Sequence, residues 1–333
     1  MKENGINVLS LFDGISCAKL ALERAGIKVK NYYSSEIDKS ALAVQSYHYS
    51  SDTSFHQIGD VKNIDGIKYA QEIDLVIFGS PCTQLSSVNS KDRSGLEGPD
   101  SSLFYEAIRI MKEIVANNNG RKLYFLKENV ASMSNRNRNL IHQALSEIFP
   151  DVQMIKIDSA TVAASRRCRY YWSNIANLTQ PEPTGIKYQD ILVNGYTDKK
   201  DSANTLLSTN VTLTNGINRY YLRNIGNIVF KDKAFACLSK EEKLLSYPFI
   251  LNKSGYKGVS RAITDEYVFP NGCYRLPSVL ESERLMTIPD NYINSVRGIS
   301  KTVKHKLIGL SFTVDVVAHL LKPLKHVSFK SES

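Results

Sequence analysis

Apolar residues follow two rhythms over the first half of the chain. Val8 to Phe12, Tyr32 to Ser35, Asp74 to Phe78, Leu123 to Leu126 and Val152 to Ile157 are short runs of the kind that become buried strands. Between them, Ser16 to Ala25, Ser40 to Tyr47, Leu103 to Val115 and Arg138 to Ile148 repeat their apolar positions at helical spacing. Gly26 is placed to cap the first of these and Pro150 to stop the last. Strand and helix alternating in this way call for a parallel sheet, because each helix carries the chain back to the end where the next strand starts. The pattern predicts an α/β fold built on a doubly wound, mostly parallel sheet.

The texture changes after Trp172. Pro181, Pro183 and Gly185 mark a boundary, and the following ninety or so residues are rich in Asn, Thr, Lys and Tyr, with weak helical periodicity and more Lys and Arg than Asp and Glu. This stretch predicts a second, smaller, irregular domain. Two helix-like pieces follow, Val279 to Met286 stopped by Pro289, and Val303 to Leu321 interrupted near Gly309 to Phe312.

A length of 333 residues agrees with about two domains, and 42% hydrophobic with 23% charged residues suits a globular core rather than a disordered chain. No uninterrupted apolar stretch approaches the roughly 18 residues of a membrane span, and Met1 to Gly5 does not open like a signal peptide. The expectation is a cytoplasmic protein with no membrane partner. Five cysteines without a C-x-x-C pair point to free thiols, not to disulfides or zinc. The excess of 42 Lys and Arg over 33 Asp and Glu, +9 in all, is compatible with a polyanionic partner without identifying one.

Four short segments fall near strand ends, where a doubly wound fold gathers its ligands. Phe12-Asp13-Gly14 follows the first strand, Glu36 follows the second, Gly59-Asp60-Val61 precedes a third, and Gly79-Ser80-Pro81-Cys82 follows the strand ending at Phe78. Gly14 would let backbone approach a ligand, while Glu36 could accept from ribose hydroxyls and Asp60 from an exocyclic amine. Each alone reads first as a turn glycine or a surface carboxylate. Together they suit an adenosine-bearing cofactor. Pro81 fixes the backbone before Cys82, and Thr83, Ser86 and Ser87 leave its thiol in a polar loop. A catalytic thiol there needs donors or positive charge nearby, since a free thiol with a pKa of about 8.5 is mostly protonated at pH 7. Glu128, just past Leu123 to Leu126, is the candidate acid. Arg167 and Arg169 supply charge at a spacing that puts both on one face of an extended segment.

In this order the motifs resemble the cytosine carbon-5 DNA methyltransferase family over nearly the whole chain. The family's cofactor loop is similar to Leu11-Phe12-Asp13-Gly14, its ribose acid to Glu36, its adenine contact to Asp60-Val61 and its nucleophile loop to Gly79 through Cys82. Its Glu-Asn-Val is Glu128 to Val130, and its arginine pair lies in Arg166 to Trp172. Its late motif runs from Tyr274-Arg275-Leu276 through Glu283-Arg284-Leu285 to Pro289, and its closing motif from Gly309 to Leu321. Leu85-Ser86, Val88-Asn89 and Gly95-Leu96-Glu97-Gly98 resemble the animal de novo branch, here in a minimal form that suits a bacterial or phage gene. Three positions depart from the common pattern. Ser16-Cys17 stands where many members have a second glycine, Thr83 where most have Gln, and Arg166 where many have Gln or His.

The resemblance implies a Rossmann-like, S-adenosylmethionine-dependent fold, with a catalytic and cofactor-binding domain over 1–180, a target-recognition domain over 181–298 and a segment 299–333 returning to the first. It implies that Phe12, Gly14, Glu36, Ile37, Asp60, Val61, Ser80 and Ser311 surround S-adenosylmethionine, and that no metal takes part. It implies a Cys82 adduct on a cytosine flipped out of double-stranded DNA, with Glu128 on the ring nitrogen and amine, Arg169 on the base carbonyl and Arg167 supporting the nucleophile loop. Arg219, Arg223, Lys253, Lys257 and Arg261 are candidates for DNA contact, each on its own reading first as a solvated surface charge. A cognate restriction endonuclease would be a partner if the chain serves restriction and modification. Two alternatives share the constellation: a tRNA cytosine-5 methyltransferase, and a catalytically silent DNA-binding regulator. A nucleotide-dependent oxidoreductase would explain the first 60 residues but not the Pro-Cys loop or Glu-Asn-Val.

Overall fold

The run Ile6–Leu11 forms β1, buried at all 6 positions and central in a sheet. In the computed structural model, which describes residues 5–81, 103–199, 201–206, 226–239, 242–243, 274–327 and 329, the chain divides into two units. One comprises 1–158, 168–181 and 312–333, the other 159–167 and 182–311.

The first unit holds α1 (Cys17–Ala25), β2 (Val29–Ser35), α2 (Lys39–Tyr49), β3 (Phe55–Gln57), β4 (Leu75–Phe78), α3 (Leu103–Asn117), β5 (Tyr124–Val130), α4 (Asn135–Ser146), β6 (Gln153–Asp158) and β7 (Cys168–Ser173). The seven strands run in the order β3-β2-β1-β4-β5-β7-β6. The first five are parallel to one another, and β7 is antiparallel to both β5 and β6. This is the doubly wound, mostly parallel sheet that the apolar rhythm predicts. Its core joins Leu9, Val76, Phe78, Phe125 and Trp172 of the sheet to Phe104, Ile108 and Met111 of α3.

Local chemistry sets the helix ends. Gly26, at φ 71°, closes α1 by donating its N–H to the carbonyls of Glu23 and Leu22, a left-handed cap that glycine adopts without a Cβ clash. Asp38 caps α2 by accepting from the N–H groups of Ser40 and Ala41, worth about 1 kcal/mol. Two strands have no signature in the apolar pattern. β3 has the sequence Phe-His-Gln, so Gly59-Asp60-Val61 lies after a strand, with Asp60 capping a single turn over Val61–Asn63. β7 is the other, and its pairing along Leu126–Val130 extends β5 past the apolar run. Glu128 therefore sits inside a strand rather than beyond one.

The helix α8 (Val314–Leu321) belongs to this unit and lies against α1, where Arg24 and Asp315 form an ion pair at 2.7 Å. In the second unit, β8 (Val229–Phe230), α5 (Lys233–Cys237), β9 (Tyr274–Arg275), α6 (Val279–Leu285) and α7 (Lys301–Leu310) are short elements around a small core of Tyr188, Ile191, Val229 and Leu285. Much of its order comes from buried charge. Glu281, wholly buried, takes both outer nitrogens of Arg275 at 2.6 and 2.7 Å and the N–H groups of Val193 and Ser278.

Candidate active site

The turn after β1 is held in an unusual backbone. Phe12, Gly14 and Ser16 have φ of 56°, 58° and 61°, a left-handed region that costs a residue with a Cβ about 1 kcal/mol or more. Asp13, between them, compensates. Its buried carboxylate accepts from the hydroxyls of Ser10, Ser16, Tyr32 and Ser34 and from the Gln45 amide, at 2.5 to 3.2 Å. Burial outweighs these bonds and raises its pKa above the usual carboxylate range. The sequence marked Phe12 and Gly14 as candidates and passed over Asp13, because an Asp-Gly pair after a strand looks like any turn. The residue nevertheless ties the ends of β1 and β2 and the helix α2 together.

Glu36 sits at the end of β2 with its carboxylate turned back on the same turn. One oxygen accepts from Gly14 N–H at 2.7 Å, the other from Ile37 and Asp38 N–H at 2.7 and 2.8 Å. A carboxylate has about four acceptor sites, so one is left for a ligand. Ile37 beside it is 65% exposed, an apolar face next to a hydrogen-bonding acid. Ser35 Oγ donates to Gly59 O at 2.8 Å, which brings the Asp60 loop to the end of β2. Asp60 itself accepts from Lys62 N–H at 3.0 Å and Val61 is buried. Gly14 has open space where a Cβ would stand. Ser80 is 5% exposed, and its Oγ has no hydrogen-bond partner among the described residues.

At the ends of β4 and β5 a second set of groups converges. Arg169 in β7 donates Nε to Glu128 Oε1 at 2.7 Å, each side chain 13% exposed, and its Nη1 to the carbonyl of Cys168 at 2.8 Å. A Cβ on Gly79 would lie 2.9 Å from the ring of Phe312 and 3.3 Å from Glu128 Oε2. Only glycine fits there, and the carboxylate that Arg169 holds stands directly over the backbone leading to Pro81. The sequence identified Glu128 and Arg169, but not Phe312. Its signal is a lone aromatic in the break between two helical stretches.

Arg167 and Ser311 lie in the second unit. Arg167 is 5% exposed and donates to the carbonyls of Gly309 and Ser311 at 3.2 and 2.9 Å, while Ser311 Oγ donates to the carbonyl of Ile308. Arg167 thus braces the C-terminal end of α7. This unit also carries a groove of about 730 Å³ lined by Asn194, Lys231, Arg275, Lys301 and His305. Cys82, the loop motifs from Leu85 to Gly98, and the candidate DNA contacts Arg219, Arg223, Lys253, Lys257 and Arg261 lie outside the described residues. Among the described residues, no group of three His, Cys, Asp or Glu is placed to hold a metal ion.

The sheet order with its antiparallel β7, and the acids at the ends of β1 and β2, define a Rossmann-like methyltransferase fold. Solved structures with this fold include the Entamoeba histolytica methyltransferase EhMeth, at a TM-score of 0.69, 14% identity and 97% and 98% coverage of the two chains. A Spodoptera frugiperda DNMT2 mutant gives 0.63, 18% identity and 97% and 100% coverage. The model of the C-5 cytosine-specific DNA methylase family matches residues 6–326, and the chain belongs to that family. Among curated relatives, the rice (Oryza sativa subsp. japonica) DNA (cytosine-5)-methyltransferase DRM2 is 41% identical over 123 residues, 34% of this chain and 20% of its own. The orphan methyltransferase M.Rho11sI of Bacillus phage rho11s is 32% identical over 147 residues, 44% of this chain and 27% of its own. The chain thus spans between 20% and 27% of the length of these relatives.

Proposed function

We propose that this chain is a DNA cytosine-5-methyltransferase acting on a cytosine turned out of double-stranded DNA, with Cys82 as nucleophile. The observation that carries the reading is the Glu128–Arg169 pair over Gly79, three residues before Cys82, in a chain of this family. The cofactor set is chemically suited to S-adenosylmethionine. Gly14 leaves room against the backbone, Glu36 keeps an acceptor site for a ribose hydroxyl, and Ile37 offers an apolar face to a base. Asp60 carries a carboxylate oxygen for an amine, and Ser80 Oγ is buried with no partner among the described residues.

Carbon 5 of cytosine is a weak nucleophile, and addition of a thiolate at carbon 6 makes it an enamine carbon. The Cys82 sulfur forms the S–C6 bond, and the electron pair of the C5–C6 double bond moves into the ring. Glu128 would hold the ring nitrogen and exocyclic amine, which fixes the base as cytosine, and Arg169 would hold Glu128 and meet the base carbonyl as negative charge builds. S-adenosylmethionine, when bound, supplies the methyl group. Loss of the carbon-5 proton to a base and breaking of the S–C6 bond then restore the aromatic ring and the thiolate. A thiol cannot reach carbon 6 within a stacked duplex, so the target nucleotide has to leave the stack. Arg167 acts one step removed, by fixing the backbone at Gly309 and Ser311.

Bisulfite sequencing of a plasmid from a methylation-deficient host tests the proposal, comparing the wild-type chain with Cys82→Ser. Conversion-resistant cytosines in one short context, seen only with the wild type, are the expected result. Full conversion with both, from soluble protein that binds S-adenosylmethionine, would refute action on DNA and direct the search to tRNA.

A further inference from the structure

Two side chains in the turn after β1 stand where only glycine is at ease. Phe12 and Ser16 are left-handed, at φ 56° and 61°, on either side of Gly14 at 58°. A residue with a Cβ keeps such a backbone only where its surroundings over-determine it. Ser16 is wholly buried, and Asp13 meets it twice. The Ser16 hydroxyl donates to Oδ2 of Asp13 at 2.6 Å, and its N–H donates to the Asp13 carbonyl at 3.0 Å.

Asp13 is itself fixed from outside the turn. Ser10 of β1, Tyr32 and Ser34 of β2 and Gln45 of α2 donate to its carboxylate, and its N–H donates to the carbonyl of Ser35 at 3.0 Å. With Ser16, five side chains converge on a carboxylate that has about four acceptor sites, so no capacity remains for a ligand. The framework reaches Gly14 as well. Gln45 Nε2 donates to the Gly14 carbonyl at 2.8 Å while Glu36 takes the Gly14 N–H at 2.7 Å. Burying a carboxylate is costly, and an apolar residue would fill the space between β1, β2 and α2 at less cost. It could hold neither the Ser16 hydroxyl nor the Gln45 amide.

Resting on the methyltransferase reading above, we infer that Asp13 is a positioning residue for S-adenosylmethionine binding. It locks Ser16 in the left-handed conformation and so fixes Gly14 where the cofactor meets the backbone. Two substitutions at Ser16 separate this role from plain stabilisation. Ser16→Ala and Ser16→Gly remove the same hydroxyl and leave the other four donors of Asp13 in place, but alanine keeps the Cβ that strains the turn and glycine does not. Calorimetric titration of each full-length variant with S-adenosylmethionine is the test, with melting temperature measured alongside. Ser16→Ala is expected to bind at least about fivefold more weakly than wild type, Ser16→Gly within about twofold of it, and Asp13→Asn at least about tenfold more weakly. An alanine variant that binds as well as the glycine variant would overturn the inference, because the backbone held by Asp13 would then not govern affinity. So would a folded Asp13→Asn with wild-type affinity. The Ser16 pair decides the matter even where Asp13→Asn fails to fold. A wild-type chain that does not bind S-adenosylmethionine would count against the methyltransferase reading instead, which separates the two failures.

Discussion

Arg169 reaches diagonally across the antiparallel pair β5–β7 and places its Nε 2.7 Å from Oε1 of Glu128, although the residue opposite Glu128 in register is Tyr171. The two side chains are nearly enclosed, so each is the other's main counter-charge. Glu128→Ala should slow methyl transfer at least about a hundredfold, as removal of a positioned acid does. Arg169→Ala should come close to it, because the carboxylate then loses its orientation. In a double-mutant cycle on the single-turnover rate, the pair should couple by about 1–3 kcal/mol. Strict additivity would mean that the two act independently.

Glu36 holds three backbone N–H groups, and one of them belongs to Gly14 in the left-handed turn after β1. Glu36→Ala should weaken S-adenosylmethionine binding at least about tenfold, or 1.4 kcal/mol, from the lost acceptor and the loosened turn together. Isothermal titration of the purified protein measures this directly. An unchanged Kd would remove Glu36 from the cofactor site.

Gly79→Ala puts a methyl group within 2.9 Å of the Phe312 ring and 3.3 Å of the Glu128 carboxylate. The acid has to shift, and misplacement by a fraction of an ångström is enough to slow a positioned reaction about tenfold. The KM for DNA should change less than kcat. Steady-state kinetics on a duplex substrate checks the split, and a wild-type kcat would show that Phe312 yields without moving Glu128.

His305 predicts a pH dependence of stability. Burial, helped by the charge of Lys301, pushes its pKa from 6.5 down to about 4. In the unfolded chain the imidazole takes up its proton near pH 6.5, so between pH 6.5 and 4 the unfolded state binds more protons than the folded one. The stability tied to the neutral imidazole is therefore complete above pH 6.5 and lost as the pH falls toward 4, by about 3 kcal/mol in total. Urea unfolding of the wild type and His305→Gln at pH 7 and pH 4.5 should show the gap between them shift against the wild type at the lower pH. Parallel pH profiles would contradict the assignment.

β4 was legible because a strand covered on both faces has to be apolar along its length, as Leu-Val-Ile-Phe is. β3 was not, since Phe-His-Gln becomes a strand only through its neighbours. Phe55 stacks on Tyr32, and His56 on Tyr33. β7 was hidden in the same way, its Arg, Tyr and Trp side chains giving no period of two until β5 and β6 flank it. Glu128 could be found because a carboxylate ends an apolar run. Lys127, between that run and Glu128, reads from sequence as a surface charge, and only three-dimensional packing shows it enclosed by rings. The Asp13 hub needs Tyr32, Ser34 and Gln45, none of which a local pattern ties to a turn 19 to 32 residues earlier.

The first unit is assembled from three separate stretches of chain, and α8 meets α1 through Arg24 and Asp315, 291 positions apart. During synthesis, α1 leaves the ribosome with its partner still untranslated, so the unit begun first is among the last to be completed. Contacts this remote in sequence make folding slow. The apolar side chains of α1 that α8 covers stay open until the second unit has been made, an interval in which a chaperone or a neighbouring nascent chain competes with α8 for them.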